Sequence, residues 1–465
     1  MSNTVYYIIC SVLALAVLGG IAMLSKVKTA VAGNAVCMSA MLCAIVVTLY
    51  FDGAIAMWQL YLLLAAGLLF GLIWASKVKM IEMPQVVALL NGIGGLASAI
   101  VGAVELVNED STVFGNTTAA IALSIGAITF FGSLIAAAKL AKVIDGKPKT
   151  LKRHRLLMNL MLFTSILAVV GTAIGINKAA ALAAIALSSS LFGILFAMRV
   201  GGADMPITIS LLNSLSGVAG AIAGMAIYNI LLVSIGGIVG ASGLLLTQIM
   251  CRAMNRSLYD ILLGKTSVRV SASDAGVAVR ELDSQAQQSV EAQTHANAEK
   301  MFEPGELKDV IIVPGYGMAL SQAQHQVKAL MTKLEANGAK VRFAIHPVAG
   351  RMPGHMNVLL CEADVDYDRL YEIDVINADF ENADLVVVVG ANDVLNPEAR
   401  LAEGTPIYGM PILNVDKAKR IIFCNFDTKP GYAGVDNSLY SRAQGVTLLL
   451  GDAKESIQKI IDKLS

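Results

Sequence analysis

Charge is scarce in this chain. Of 465 residues only 15% are Asp, Glu, Lys or Arg, while 56% are hydrophobic. A soluble domain carries about a quarter charged residues, so a shortage this large excludes a wholly water-exposed chain. Net charge is also missing, because 35 basic residues balance 35 acidic ones. That balance, with few basic clusters, argues against nucleic acid as a partner. Paired cysteines are lacking as well. The six, at 10, 37, 43, 251, 361 and 424, form no CxxC and no metal-like spacing with histidine. They read as small apolar filler or free thiols, and no metal site is expected. No basic stretch precedes residues 5–24, and Lys26 and Lys28 follow them. That segment reads as a first membrane span and not as a cleaved signal.

The average hides a split. Up to about Arg252 the chain is apolar with rare charges, and from about Lys265 it resembles an ordinary soluble protein. A bilayer span needs roughly 20 mostly apolar residues. Nine segments qualify, near 4–24, 30–51, 53–76, 83–106, 116–138, 156–176, 179–198, 205–228 and 230–250. The charges sort accordingly. Alternate connections hold Lys26, Lys28, Lys77, Lys79, Lys139, Lys142, Lys147, Lys149, Lys152, Arg153, Arg155, Arg199, Arg252 and Arg256, and the others hold only Lys178 with Asp52, Glu105, Glu109 and Asp110. The positive-inside rule then puts the N-terminus outside and the C-terminal domain in the cytosol. Abundant Gly, Ala and Ser in the spans predict a closely packed bundle.

An ungapped repeat at an offset of 122 places Glu82 on Asp204, Pro84 on Pro206, Asn91 on Asn213 and Gly95 on Gly217. An offset of four spans preserves orientation, so the repeat is parallel. Each copy puts an acid and Met-Pro at the cytosolic mouth of a span and an Asn about two turns inside. Two readings stand for the Asn pair: interhelical hydrogen bonding, or a polar track for an ion. Two also stand for Glu82 and Asp204, since an acid at the interface is cheap. No histidine lies inside a span, so the chain brings no imidazole of its own deep into the membrane.

Residues 1–262 thus read as a membrane domain, 263–304 as a small, polar linker, and 305–465 as a soluble domain. In the last, short apolar runs alternate with helical stretches. Strands are expected at 310–313, 341–345, 385–389, 411–415, 420–424 and 446–450, which suits a doubly wound α/β sheet. The first strand runs into Gly315-Tyr316-Gly317-Met318-Ala319 and then a helix, the setting of a phosphate-cradling turn, although the third glycine of the fingerprint is replaced by Leu320. No acid ends the second strand, where a ribose-binding acid often sits. Instead Val348-Ala349-Gly350-Arg351 follows it. Arg351 could grip a phosphate or be a surface Arg. Gly390-Ala391-Asn392-Asp393 follows a fully apolar strand, at the end where ligands bind in open α/β sheets, and Asp393 could equally cap a turn. Lys429-Pro430-Gly431-Tyr432-Ala433-Gly434 reads as a lid or a stacking surface.

Together GYGMA at 315, HPVAGRMPGHMNVLL at 346, GANDVLNP at 390, YGMPIL at 408 and PGYAGVDN at 430, with the DMP and LLNS stretches near 204–214, resemble the β subunit of the proton-translocating nicotinamide nucleotide transhydrogenase. The likeness covers almost the whole chain. It implies an all-α bundle of about nine transmembrane helices followed by a soluble α/β, Rossmann-like doubly wound domain. It implies hydride transfer between NAD(H), held by a partner α subunit with further membrane helices, and NADP(H), held by this chain, coupled to proton translocation across a bacterial cytoplasmic membrane. Activity would require the partner, in a dimer of αβ units embedded in lipid. The carry-over puts NADP(H) against Gly315, Tyr316, Gly317, Met318 and Ala319, against Val348, Ala349, Gly350 and Arg351, against Gly390, Ala391, Asn392 and Asp393, and against Lys429, Gly431, Tyr432 and Ala433. Asp393 would link protonation to nucleotide binding, and Asp204, Asn91, Asn213 and Glu82 would occupy the coupling and proton path. Direct hydride transfer needs no side-chain nucleophile.

Two departures stand out. Many members have His where this chain has Asn91, and Asn holds no exchangeable proton near neutrality. Many have Lys-Arg-Ser, gripping the 2′-phosphate, where this chain has Asn425-Phe426-Asp427. The segment from Arg252 to Ser257 joins the two halves and reads as their mechanical link. Two rivals compete: an ion or solute transporter with a regulatory nucleotide domain, and a reductase merely anchored in the membrane, for which nine spans are too many.

Overall fold

The structure, a computed structural model, describes residues 3–259 and 307–464, apart from short breaks at 25–26, 52, 79–81, 109–110, 146–147, 176, 202–203, 254–256, 351–353, 406, 432 and 443. The linker, Arg256, Arg351 and Tyr432 therefore lie outside the described residues. The chain divides into two compact units, Met1–Gln248 and Ile249–Ser465.

The first unit is all helix. Among the described residues, nine helices are long and apolar enough to cross a bilayer. They are α1 (Asn3–Leu24), α2 (Val27–Phe51), α3 (Trp58–Lys77), α4 (Met83–Val107), α5 (Val113–Leu140), α6 (His154–Ala173), α7 (Lys178–Arg199), α8 (Met205–Ala226) and α9 (Ile230–Ala253). These are the nine expected spans. Helices α5 and α8 are the most enclosed, whereas α3 has no buried residue.

Small residues set the helix spacing. A Cβ on Gly95 of α4 would meet Thr129 Cβ at 2.8 Å and the Gly126 carbonyl at 2.9 Å on α5. A Cβ on Gly217 of α8 would meet the Gly240 Cα at 2.9 Å and the Gly236 carbonyl at 3.0 Å on α9. The two glycines matched by the repeat thus do the same work, admitting the next helix to backbone contact. Polar groups are tied internally. Ser124, Ser165 and Ser189 lie 2.8–2.9 Å apart across α5, α6 and α7. The buried Lys139 ammonium caps the end of α7 by donating to the carbonyls of Ala197, Met198 and Val200 at 3.0, 2.7 and 2.7 Å. A cation suits that position because helix C-termini carry unpaired carbonyls and negative partial charge.

The second unit contains a six-stranded, all-parallel sheet in the order β3-β2-β1-β4-β5-β6. Its strands are β1 (Asp309–Pro314), β2 (Lys340–Ile345), β3 (Leu370–Glu372), β4 (Leu385–Val389), β5 (Ile421–Asn425) and β6 (Val446–Leu450). Strand order reverses between β1 and β4, with Val310 opposite Leu385 and Pro314 opposite Val389. The runs VIIV, LVVVV and IIFC are buried throughout, as parallel strands covered on both faces must be. On one face, α11 (Gln324–Ala336) presents Val327, Leu330, Met331 and Leu334 at helical spacing and packs with α15 (Ala453–Lys463). Between β1 and α11 lies the short α10 (Tyr316–Ser321). On the other face, Ile311, Val313, Val386, Val388, Ile421 and Phe423 meet Phe380, Leu395, Leu413 and Val415 from short helices and loops. Of the short helices, α13 (Ile373–Ile376) gives Ile373 and Ile376 to that core, whereas α12 (His355–Glu362) packs with α11 and α10, and α14 (Glu398–Leu401) puts Ala399 in a separate small cluster.

One expected strand is not a strand. Residues 411–415 bury Ile412, Leu413 and Val415 but join no sheet. Pro411 has no amide to give a ladder, and loops satisfy the rest of the segment. Leu413 N donates to Val394 O at 3.0 Å, Asn414 N to Asn377 Oδ1 at 2.9 Å, and Asn377 Nδ2 to Ile412 O at 3.0 Å. The sixth strand is Leu370–Glu372, an edge strand too short and too polar in its approach to show an apolar run.

His346, just past β2, anchors this region. Its Nδ1 accepts the Val348 amide at 3.2 Å, and its Nε2 lies 2.7 Å from the Pro411 carbonyl, so the neutral ring donates from Nε2. Burial, only partly opposed by the Pro411 bond, pushes this imidazole down to about 4. The unfolded chain then takes up a proton below the ordinary value of 6.5 that the native chain refuses until about 4. Stability should fall as pH drops through that window, by up to about 3 kcal/mol.

Two outcomes are expected. In His346→Gln, hydrogen-exchange protection of the β1 and β4 amides in the intact chain should lose the part of its pH dependence that lies between 6.5 and 4. Gly217→Val should lower the thermal stability of the detergent-solubilised chain by about 1–3 kcal/mol. Gly67→Ala, inside α3 where nothing lies within 4 Å, should not lower it.

Candidate functional site

Four loops, those after β1, β2, β4 and β5, converge at the carboxyl end of the sheet. The Gly315 amide donates to Val389 O and the Gly317 amide to Gly390 O, each at 2.8 Å. A Cβ on Gly317 would lie 2.6 Å from Gly390 Cα, and a Cβ on Gly315 would lie 2.6 Å from Ala391 Cβ. Gly390 is left-handed, at φ +66°, and faces back onto Gly317. The glycines of the first turn are therefore needed to interlock two loops. Their amides are largely spent on that interlock, Met318 N also donating to Gly315 O at 3.1 Å. Met318 and Ala319 are buried and can offer a ligand only backbone.

The loop after β4 is stitched to the glycine-rich loop after β5. Asn392 Nδ2 donates to Lys429 O at 3.0 Å and its Oδ1 accepts from Asn437 Nδ2 at 2.9 Å. Asp393 Oδ2 accepts the Ala433 amide at 3.1 Å. A Cβ on Gly431 would strike the Asp393 carboxylate, with Cγ and Oδ2 at 2.6 Å. Fully buried Asn396 donates to Asp436 O at 3.1 Å. Val348, from the loop after β2, packs with Ala433 and Val435 over Ala399, Ile407, Met410 and Ile412. Gly350, at φ +102°, leaves room for the His355 ring, which in turn lies 6.4 Å from the Tyr316 ring. Segments 315–319, 348–350 and 390–393 are thus brought into one cluster with Lys429, Gly431 and Ala433.

The end of β5 closes the cluster. Asn425 turns inward, donating from Nδ2 to Ala391 O and to Tyr440 Oη, both at 2.9 Å. Burial pushes the Tyr440 phenol up to about 12, the Asn425 bond opposing and the Asp393 and Asp427 charges adding to it, so Tyr440 stays neutral. Phe426 is 81% exposed, and Asp427 Oδ1 accepts the Lys429 amide at 3.1 Å. The loops suit close approach of a dinucleotide backbone. Among the described residues, Lys429 is the cation of this cluster, so the residues at β5 do not form a cationic clamp for a 2′-phosphate. Sequence reasoning did not single out Asn396, Asn437 and Tyr440, and it read Asn425 only as a departure from a phosphate clamp, not as an inward hydrogen-bond donor. The Asn-rich spacing of GANDVLNP was the one available signal for the first.

In the helical unit, Glu82 and Asp204 are the N-caps of α4 and α8, with matching backbones at φ −90°, ψ −8° and φ −88°, ψ 0°. Pro84 and Pro206 stand in the first turns, where proline costs no hydrogen bond. Asp204 is buried and Glu82 half-buried. Helices α4 and α8 pack on each other. Asn91 Nδ2 reaches across to Ile209 O of α8 at 3.4 Å. That carbonyl is the one helix geometry assigns to the Asn213 amide, so the two asparagines meet through one peptide group.

The model of the family described as NAD(P) transhydrogenase beta subunit matches residues 4–463. Two curated proteins named NAD(P) transhydrogenase subunit beta, both from Rhodospirillum rubrum, are each 40% identical over 468 residues, spanning 99% of this chain and 98% of their own. A nine-helix apolar unit, a parallel sheet with its loops gathered at the reversal of strand order, and full-length similarity lead to one assignment: the chain belongs to the NAD(P) transhydrogenase beta subunit family.

Proposed function

We propose that this chain binds NADP(H) in its domain at 305–465 and exchanges a hydride with NAD(H) held on a partner alpha subunit. The exchange is coupled to proton translocation through the membrane domain at 1–262, with 263–304 as the tether. The observation that carries this reading is the gathering of four glycine-bearing segments at the reversal between β1 and β4. There α/β sheets of this order bind dinucleotides. Bound nucleotide supplies the hydride chemistry. The chain's residues bind and orient it: Gly315–Ala319 and Gly390–Asp393 form the floor, Val348–Gly350 one wall, and Lys429, Gly431 and Ala433 a cover that Asn392 and Asp393 hold down, with Arg351 and Tyr432 as further contacts to the nucleotide. A carboxylate that accepts the Ala433 amide couples its own protonation to the position of that cover.

The second half of the reading rests on the matched acids and asparagines of α4 and α8, which make Glu82, Asp204, Asn91 and Asn213 the proton path. The excess of Lys and Arg on alternate connections supports an N-terminus outside and the nucleotide domain in the cytosol of a bacterial cell. The working assembly is a dimer of alpha-beta units in lipid, inactive without the alpha subunit.

Three measurements test the proposal. Titration of the full-length chain should show NADP binding more tightly than NAD, and equal affinities would overturn the assignment of NADP(H) to this chain. Gly431→Ala, which pushes Asp393 away, should weaken NADP binding about tenfold, or 1.4 kcal/mol. Asn91→Leu in the assembled complex should abolish proton pumping with NADP affinity retained, and intact pumping would remove that amide from the path.

A further inference from the structure

The proton path proposed above has acids at one end, Glu82 and Asp204, and neutral amides inside. A conduit that delivers protons needs a group able to bind one at its far end. Within the nine described membrane-length helices there is one carboxylate, Glu105. It lies on α4 seven residues beyond Ser98, which lies seven beyond Asn91. Seven residues are nearly two turns, so the three share one face of α4 and span about 21 Å of it. Asn91 and Ser98 are buried, 8% and 7% exposed, and Glu105 is half-buried. The face turns toward α8, because Asn91 bonds Ile209 O, and a Cβ on Gly220 would lie 3.9 Å from Ser98 Oγ.

The surroundings of Glu105 form a polar knot. Ser111 Oγ donates to Glu105 Oε1 at 2.5 Å and also lies 3.1 Å from the Glu105 carbonyl. Asn116 of α5 donates from Nδ2 to Ser111 O at 3.3 Å. Its Oδ1 is buried and accepts no hydrogen bond among the described residues. Thr112 Oγ1, which caps α5, lies 2.9 Å from Tyr228 Oη just past α8. The charged and titratable groups that neighbouring elements bring are the Lys178 ammonium at the start of α7, bonded to Asn108 O at 2.6 Å, and the Tyr228 phenol. Helix α6 brings none, and Glu109 and Asp110 of the connection lie outside the described residues.

Helix stability does not account for the acid. One turn from the end of α4, a carboxylate faces the negative pole of its own helix, which disfavours it. The repeat does not account for it either. Asn91 and Asn213 correspond, but the positions matching Ser98 and Glu105 are Gly220 and Ile227. Only one copy carries the polar face to the far end.

We propose that Glu105 is the proton-binding group at the end of the path remote from Glu82 and Asp204, held ready by Ser111. Its carboxylate binds one proton at Oε and is neutralised, and releasing that proton restores the anion. The Ser111 hydroxyl donates to the anionic form, and Ser98 and Asn91 continue the route along α4. This rests on the reading of the chain as a proton-translocating transhydrogenase.

The test uses the complete alpha-beta complex in sealed vesicles, with NADH and NADP supplied. Hydride transfer, vesicle pH change and NADP affinity are read together. Glu105→Gln should lower proton translocation about a hundredfold, the low end for loss of a positioned proton-transfer group, with NADP affinity unchanged. Glu105→Asp should restore translocation with a displaced pH profile, and Ser111→Ala should displace the profile as well. Translocation by Glu105→Gln within twofold of the unaltered complex overturns the proposal. If Glu105→Gln fails to accumulate, a pH profile unmoved in both Glu105→Asp and Ser111→Ala overturns it. If the unaltered complex itself transfers no hydride and moves no protons, the functional reading falls first, whatever the variants do.

Discussion

The backbone of Gly317 rests on the backbone of Gly390, and the nucleotide domain is organised around that contact. Neither residue could carry a Cβ: each would strike the other's main chain. Once the two loops are locked, Val389 and Gly390 are held by the Gly315 and Gly317 amides, and Ala391 is set where Asn425 can reach its carbonyl. Asn392 and Asp393 then face the loop after β5 and bind it. The ends of β1, β4 and β5 become one surface through a chain of hydrogen bonds that starts from a missing side chain.

The membrane unit applies the same physics in a different solvent. In lipid no apolar gain remains between helices, so close packing and satisfied polar groups do the work. Gly95 and Gly217 let α5 and α9 touch backbone, which leaves α4 and α8 free to face each other with polar side chains. Serine and threonine hydroxyls return to carbonyls of their own helices, as Thr129 does to Ile125 O at 2.8 Å and Thr208 to Asp204 O at 3.2 Å. Most of the hydroxyls between helices are therefore satisfied locally; Ser133 Oγ is an exception among the described residues, as is the amide oxygen Asn116 Oδ1.

Much of the fold is legible in the amino-acid sequence. The nine spans could be read because crossing lipid imposes a length and a composition that few other constraints mimic. Strands β1, β4 and β5 could be read because burial on both faces leaves an unbroken apolar run. The segment at 411–415 misled for the same reason: it is equally apolar and buried, but its amides and carbonyls are taken by Asn377 and Val394, not by a neighbouring strand. Burial leaves its mark on composition, whereas a choice between ladder and loop partners depends on residues far along the chain. Strand β3 was hidden because an edge strand of three residues needs no apolar run.

The candidate site divides along the same line. Its glycine turns and acids were visible as motifs, since tight turns and caps are local and demand particular residue types. So was the repeat pairing Glu82 with Asp204 and Asn91 with Asn213. What chain order could not supply is who touches whom. That Gly315 is shaped for Gly390, that Asn425 points inward to Ala391 and Tyr440, and that Glu105 meets Ser111 beside Asn116 all depend on contacts between separate elements. Composition and periodicity record each residue's solvent and local backbone. Only packing decides which distant group satisfies a buried donor or acceptor, because that demand is met in space and many sequence positions could meet it equally well.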